Sequence, residues 1–202
     1  MSNSKIYEDI FTKEEIYQIL NFYSNKPDAQ TEIGIINKNL EYHIPNDFSF
    51  KLLNPKVIKL VGGNHEFDGG AYKESSAPYP LHVDTASAHY EVGASLLSSG
   101  TKKYNLSILI PLVEGPQFKT VTFNIFSKDN HVNLNEYKEE RNSLDPKDFT
   151  HDNFNLINYL PVDTVFEWKL GNVLIWPRDQ WHASTNFLEY GLIKKFLIMF
   201  IA

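Results

Sequence analysis

The chain has 202 residues, a net charge of −6, 42% hydrophobic and 14% aromatic residues, enough to bury the core of one globular domain without staples. It has no cysteine, which excludes disulfides, thiolate metal sites and cysteine nucleophiles. Apart from Arg141 and Arg178 its cations are lysines, which argues against a nucleic-acid-reading face.

The opening Met1-Ser2-Asn3-Ser4-Lys5 lacks the apolar run of a signal peptide, and no stretch reaches membrane-spanning length. A soluble, cytoplasmic protein is the expectation. Thr12-Lys13-Glu14-Glu15 has the form of a capping box, with Phe11 and Ile16 placed as a hydrophobic staple. Ile16, Ile19, Leu20 and Tyr23 follow at helical spacing, predicting a helix over about Lys13 to Tyr23 on the outside of a sheet. Residues 1–55 are thus expected to form a helical N-terminal support.

From Lys56 onward the pattern turns β-like. The runs 57–61, 106–110, 120–126, 173–176 and 196–201 are short, apolar or alternating, and punctuated by Gly, Pro and Asn. Many short strands separated by turns indicate a mainly β (α+β) fold of sandwich or jelly-roll type. Residues 127–160 are polar and Asn-rich, with Asp145-Pro146-Lys147-Asp148 as a helix start. So long an interruption reads as an insertion or lid within a single domain, or as a surface excursion.

Two segments carry the chemistry. His82-Val83-Asp84 offers an imidazole and a carboxylate at i and i+2, which on a strand face the same side. His182 lies just beyond the predicted strand 173–176, after the turn Lys169-Leu170-Gly171-Asn172. Two histidines and one carboxylate suit a non-haem Fe(II) site with open positions. The motif is weak alone, since about one His-x-acid match arises by chance, and His89-Tyr90-Glu91 is a second. Context favours His82 and Asp84, because His89 sits in a Ser/Ala/Gly-rich stretch.

These residues resemble the 2-oxoglutarate-dependent Fe(II) oxygenases, prolyl-hydroxylase-like branch. The resemblance runs from Val57 to the C-terminus. It rests on the spacing of Tyr72, Tyr79, His82 and Asp84, on Leu106 to Leu112, on Gly171 to Pro177 followed by His182, and on Lys195-Phe196 opening a last strand. It implies a double-stranded β-helix with the N-terminal helix packed outside. It also implies an iron triad of His82, Asp84 and His182, and a hydroxylase consuming 2-oxoglutarate and O2, with ascorbate as a reductant. The expected products are succinate, CO2 and a hydroxylated prolyl, other amino-acid, peptide or small-molecule substrate. Related halogenases lack the carboxylate that Asp84 supplies.

The same resemblance implies a basic residue for the far carboxylate of 2-oxoglutarate. Lys195 matches that position and Lys194 is the alternative; Tyr72 is implied to point into the co-substrate pocket, and Tyr79 or Ser107 to accompany the lysine. Two departures stand out: the interval from His182 to Lys195 is longer than in prolyl hydroxylases, and Pro111 stands where some members carry a co-substrate tyrosine. Two other classes compete: a cupin-like metalloenzyme that does not use 2-oxoglutarate, and a non-catalytic jelly-roll binding module. Arg178 reads as a surface loop residue, with contact to an anionic substrate as the alternative, and no motif sets the oligomeric state.

Overall fold

The computed structural model describes residues 2–24, 30–33, 38–45, 48–62, 65, 67–84, 106–126, 141–152 and 154–201. His89-Tyr90-Glu91 and residues 127–140 lie outside them. Among the described residues, ten strands form two antiparallel sheets. The larger joins β1 (Lys5–Tyr7), β8 (Val173–Pro177), β5 (Leu106–Pro111), β10 (Lys194–Ile201), β4 (Phe67–Ser75), β3 (Lys38–His43) and β2 (Gln30–Ile33) in that order. The smaller joins β7 (Val162–Glu167), β6 (Lys119–Phe126) and β9 (Gln180–Ser184).

Strand alternation sorts the side chains into three layers. On the larger sheet, Tyr72, Ile108, Ile110, Val173, Ile175, Leu197, Met199 and Ile201 face outward onto two helices, α1 (Lys13–Ser24) and α2 (Asn54–Val61). Their neighbours Ala71, Leu109, Leu174, Trp176, Phe196 and Ile198 face inward and meet Phe166 of the smaller sheet and Phe118 and Trp168, which flank its strands. Val121, Phe123, Ile125 and Ala183 form the outer face of that smaller sheet. They are covered by Phe149, Ile157 and Leu160, so the described part of the expected insertion closes a core.

Helix α1 starts where the capping box places it. The Glu15 amide donates to Thr12 Oγ1 at 3.2 Å and the Thr12 amide to Glu15 Oε2 at 2.8 Å. Ile16, Ile19 and Tyr23 form its buried stripe. The expected strand at 57–61 is instead helix α2. Pro55 sits in its first turn, Val57 is buried, and Gly62 ends it with φ +70°. A short apolar run carries no period of its own, and proline at a helix start decides this one. Asp145 caps a 3-10 turn at Pro146–Phe149, accepting from the Lys147 amide at 3.0 Å.

The first strand ties both sheets together. β1 pairs with β8, while Ser4 just before it reaches the smaller sheet. The Ser4 amide donates to Asp163 at 2.8 Å, and its hydroxyl lies 2.8 Å from Thr122 Oγ1 and 3.0 Å from Gln180 Oε1. At the start of β8, Gly171 has φ +88°, and its carbonyl accepts from the amides of Ile10 and Phe11 at 2.8 and 3.1 Å. A Cβ there would lie 2.4 Å from the Phe11 carbonyl oxygen. Gly171→Ala therefore destabilises by about 1–3 kcal/mol, read as a lower denaturation midpoint at unchanged slope.

Candidate metal centre

His82 and His182 come together through the backbone. Each amide donates to the other's carbonyl at 2.9 Å, an isolated antiparallel bridge that continues β9's pairing on its free side. Two residues on, the Asp84 amide donates to the Arg178 carbonyl at 3.0 Å, and Arg178 Nε returns a bond to the Asp84 carbonyl at 2.6 Å. Arg178 is buried at 3% exposure, its guanidinium 4.0 Å from the centre of the Phe200 ring. The reading of Arg178 as a surface residue is therefore corrected: it clasps the backbone of the acidic ligand.

The geometry prepares the side chains for a cation. His82 Nδ1 lies 2.6 Å from the Pro80 carbonyl and His182 Nδ1 3.1 Å from the Gln180 carbonyl. Each carbonyl accepts an N–H, fixing the tautomer that leaves Nε2 with its lone pair. His82 Nε2 lies 3.8 Å from Asp84 Oδ1 and His182 Nε2 3.6 Å from Asp84 Oδ2. One ligand atom from each of the three falls within 4.8 Å of the others.

Their electrostatics agree. Burial, then the neighbouring His182, push the His82 imidazole down to about 4, so it stays neutral near pH 7. Burial alone would raise Asp84, but His182, His82, the Ser107 hydroxyl and Arg178 together hold it below the usual carboxylate range. Asp84 Oδ2 is buried with no hydrogen-bond donor among the described residues. A buried, ionised oxygen without a donor is costly, and a cation between the three side chains relieves it. The donor set is that of a 2-His-1-carboxylate iron site with positions left open.

The remaining expected residues divide between the two faces of the large sheet. Tyr79 is inside, 5.9 Å from the His82 ring and 6.0 Å from Phe196. Ser107 is also inside and fully buried. It pairs in register with Phe200, about 20 Å along β10 from Lys194, too far to share a carboxylate with a lysine there. Tyr72 and Lys195 are outside: Tyr72 stacks on Tyr23 at 4.4 Å and donates its hydroxyl to Glu74, whose Oε1 also pairs with Lys195 Nζ at 2.9 Å. The structure thus turns Tyr72 and Lys195 away from the metal centre, into the seam beneath the helices.

Lys194 occupies the inner face instead. It is 2% exposed, its Nζ is 4.2 Å from the centre of the Trp168 ring and 5.7 Å from that of Phe187, and burial pushes it down to about 7. His151 lies within its electrostatic reach. Burial, with Lys194 adding to it, lowers the His151 imidazole against the opposing pull of the Tyr79 backbone and Asp152. The alternation of Phe196, Ile198 and Phe200 carried the signal for Lys194; no motif marked His151.

No protein-family model matches the sequence, and no curated protein does. Solved structures match along the whole chain. The non-haem α-ketoglutarate-dependent epimerase SnoN of nogalamycin biosynthesis aligns over 100% of this chain and 78% of its own, with TM-score 0.61 and 8% identity. HygX of Streptomyces hygroscopicus, solved with nickel and 2-oxoglutarate bound, aligns over 100% and 83%, with TM-score 0.58 and 13% identity. A Pseudomonas putida prolyl-4-hydroxylase aligns over 99% and 92%, with TM-score 0.51 and 8% identity. The fold is the double-stranded β-helix of the 2-oxoglutarate/Fe(II) oxygenases. The expected fold class is borne out, with β4, β5, β8 and β10 in the larger wall and β6, β7 and β9 in the smaller.

His82→Ala, Asp84→Ala and His182→Ala should each weaken Mn(II) binding by at least about a hundredfold, the upper end of what losing a mere supporting contact costs. His151→Ala and His89→Ala should leave it within about threefold. Calorimetric titration of the five variants checks this, and equal loss in all five would mean the wrong residues are named.

Proposed function

We propose that the protein is an Fe(II)- and 2-oxoglutarate-dependent dioxygenase that hydroxylates an unactivated C–H bond. The observation that carries this reading is a buried lysine, Lys194, on the same inner face as the His82, Asp84 and His182 triad. A cupin-type metal site without 2-oxoglutarate gives such a lysine no task. A dicarboxylate that chelates iron at one end needs a cation for the other.

In this reading His82, Asp84 and His182 hold the iron, which supplies oxidative decarboxylation of 2-oxoglutarate to succinate and CO2 and the transfer of oxygen from O2. Ascorbate serves as the external reductant. Lys194 takes the far carboxylate as a point charge, with His151 as a second polar contact there and Tyr79 lining the path between. Trp168 and Phe187 keep water away from the ammonium, so its attraction for a carboxylate is little screened. Arg178 holds the Asp84 backbone, and with it the carboxylate, against the turn between β8 and β9.

The substrate is an amino acid, a peptide or a small molecule. A prolyl group is one candidate, in keeping with the P. putida prolyl-4-hydroxylase; the epimerase SnoN and a HygX structure with hygromycin B bound represent small-molecule chemistry on the same fold. Among the described residues no helix is long and apolar enough to cross a membrane.

Purified protein should form succinate from 2-oxoglutarate aerobically, and only with added Fe(II). Protein that binds the metal yet turns over no 2-oxoglutarate would sink the proposal. Lys194→Met should raise the 2-oxoglutarate requirement by about a hundredfold with metal binding intact, whereas Lys195→Ala should change it less than about threefold.

The pH dependence has a definite sign. Lys194 is cationic below about 7 in the free folded protein, so 2-oxoglutarate affinity should fall as pH rises through that value and flatten in Lys194→Met. The unfolded chain keeps this proton up to its ordinary value of 10.5. Stability of the free protein should therefore climb between pH 7 and 10.5, and less so in the variant.

A further inference from the structure

The inner face of the larger sheet is uneven. Strand β10 raises Phe196, Ile198 and Phe200 from it, whereas its neighbour β4 sets Ala71 and Gly69 opposite Ile198 and Phe200. A Cβ built on Gly69 would meet nothing within 4 Å among the described residues. β4 is thus the floor of a trough beside the β10 ridge, and the trough runs past the metal centre. At its Gly69 end the Phe200 ring lies 4.0 Å from the Arg178 guanidinium, which holds the Asp84 backbone. Further along β4 stands Lys73, its Nζ 5.9 Å from the centre of the Tyr79 ring, itself 5.9 Å from the His82 ring. The triad opens on this side: the His82 side chain is 32% exposed, against 11% for Asp84 and 7% for His182.

Lys73 is in register with Glu41 on β3, and the two side chains pair at 3.0 Å, both half-buried. Ions in an otherwise apolar layer carry a desolvation cost that an apolar pair avoids, and a cross-strand ion pair stabilises by at most about 1 kcal/mol. Stability alone gives little reason to place one here. The co-substrate gives none, because 2-oxoglutarate brings only negative charge and Glu41 repels the carboxylate that Lys73 attracts. The Lys194 ammonium, by contrast, meets aromatic rings rather than a carboxylate.

We propose that Lys73 and Glu41 are the recognition end of the substrate pocket, taking the carboxylate and the ammonium of a free α-amino acid whose side chain lies along Ala71 and Gly69 beside the metal centre. Two opposite charges held side by side fit a zwitterion. Laid against the pair in reverse, its carboxylate meets the Lys73 ammonium and its ammonium meets Glu41, so no charge is left unmet. An anion alone faces Glu41, a cation alone faces Lys73, and a residue inside a peptide carries neither charge. The inference deepens the proposed function, on which it rests, by narrowing the substrate to a free amino acid.

The test uses Zn(II)-loaded, 2-oxoglutarate-saturated protein and the free proteinogenic L-amino acids, each beside its N-acetyl amide, read by saturation-transfer NMR. At least one free amino acid should bind saturably at millimolar concentration or below, and its N-acetyl amide should not. Lys73→Met and Glu41→Gln should each weaken that binding at least about tenfold, the lower end of what a charged hydrogen bond is worth, while 2-oxoglutarate affinity stays within about threefold. The double variant Lys73→Glu with Glu41→Lys remakes the salt bridge in reverse. It should recover the melting temperature without recovering amino-acid binding, whereas a merely structural pair would recover both.

The inference is overturned if no free amino acid binds, if the N-acetyl amide binds equally, or if binding survives both single variants, since the ligand then sits on the metal alone. A loss of 2-oxoglutarate affinity in Lys73→Met as large as in Lys194→Met overturns it too. Absence of Fe(II)-dependent succinate formation would instead overturn the proposed function.

Discussion

Everything at this site depends on one pair of backbone hydrogen bonds, the two 2.9 Å contacts that His82 and His182 exchange. They do for two distant segments what a strand pair does for neighbours, setting two imidazoles on the same side at a ring separation of 4.1 Å. Side-chain attraction does not arrange this, because two imidazoles facing one anion repel each other once protonated. The backbone imposes the proximity, carbonyls two residues upstream orient both rings, and the anion between them is kept charged by the same crowding. The three candidate ligands are thus brought together by main-chain geometry, without a cation.

The second constraint is the two-residue period of β10. Lys194 and Lys195 are adjacent, share a charge and a residue type, and have opposite fates: one lies against indole and phenyl rings inside, the other pairs with Glu74 beneath the helices. The same period puts Tyr72 outside and its neighbour Ala71 inside. A strand shifted by one residue exchanges the faces of every side chain. The family pattern of a basic residue followed by an aromatic favours Lys195 from the sequence, whereas the inward phase of Phe196, Ile198 and Phe200 points to Lys194.

The sequence made the triad legible because two of its members share a short motif and the third follows a turn whose glycine has a physical reason to be there. The capping box at Thr12 and Glu15 was legible for the same reason: local chemistry with local partners. What escaped depended on pairing at long range. The apolar run at 57–61 became a helix through Pro55, strands β1, β3, β7 and β9 are too short or too polar to announce themselves, and Arg178 looks like any loop arginine until its partner in the fold is known. The role of residues 141–160 as cover for the smaller sheet follows from Phe149, Ile157 and Leu160, which no periodic pattern connects.

The first strand has a consequence beyond its tie between the sheets. Three residues, Lys5 to Tyr7, lie along β8, whose other edge is taken by β5. β8 is an apolar strand with a free side only where β1 covers it, and an uncovered apolar edge is a template for pairing with other chains. Residues Lys5 to Tyr7 thus occupy backbone groups of β8 that would otherwise lie open at the sheet edge, and the Ser4 hydroxyl and the Asp163 carboxylate hold them there. Removing those residues would leave His82, Asp84 and His182 in the chain and bare the apolar edge of β8.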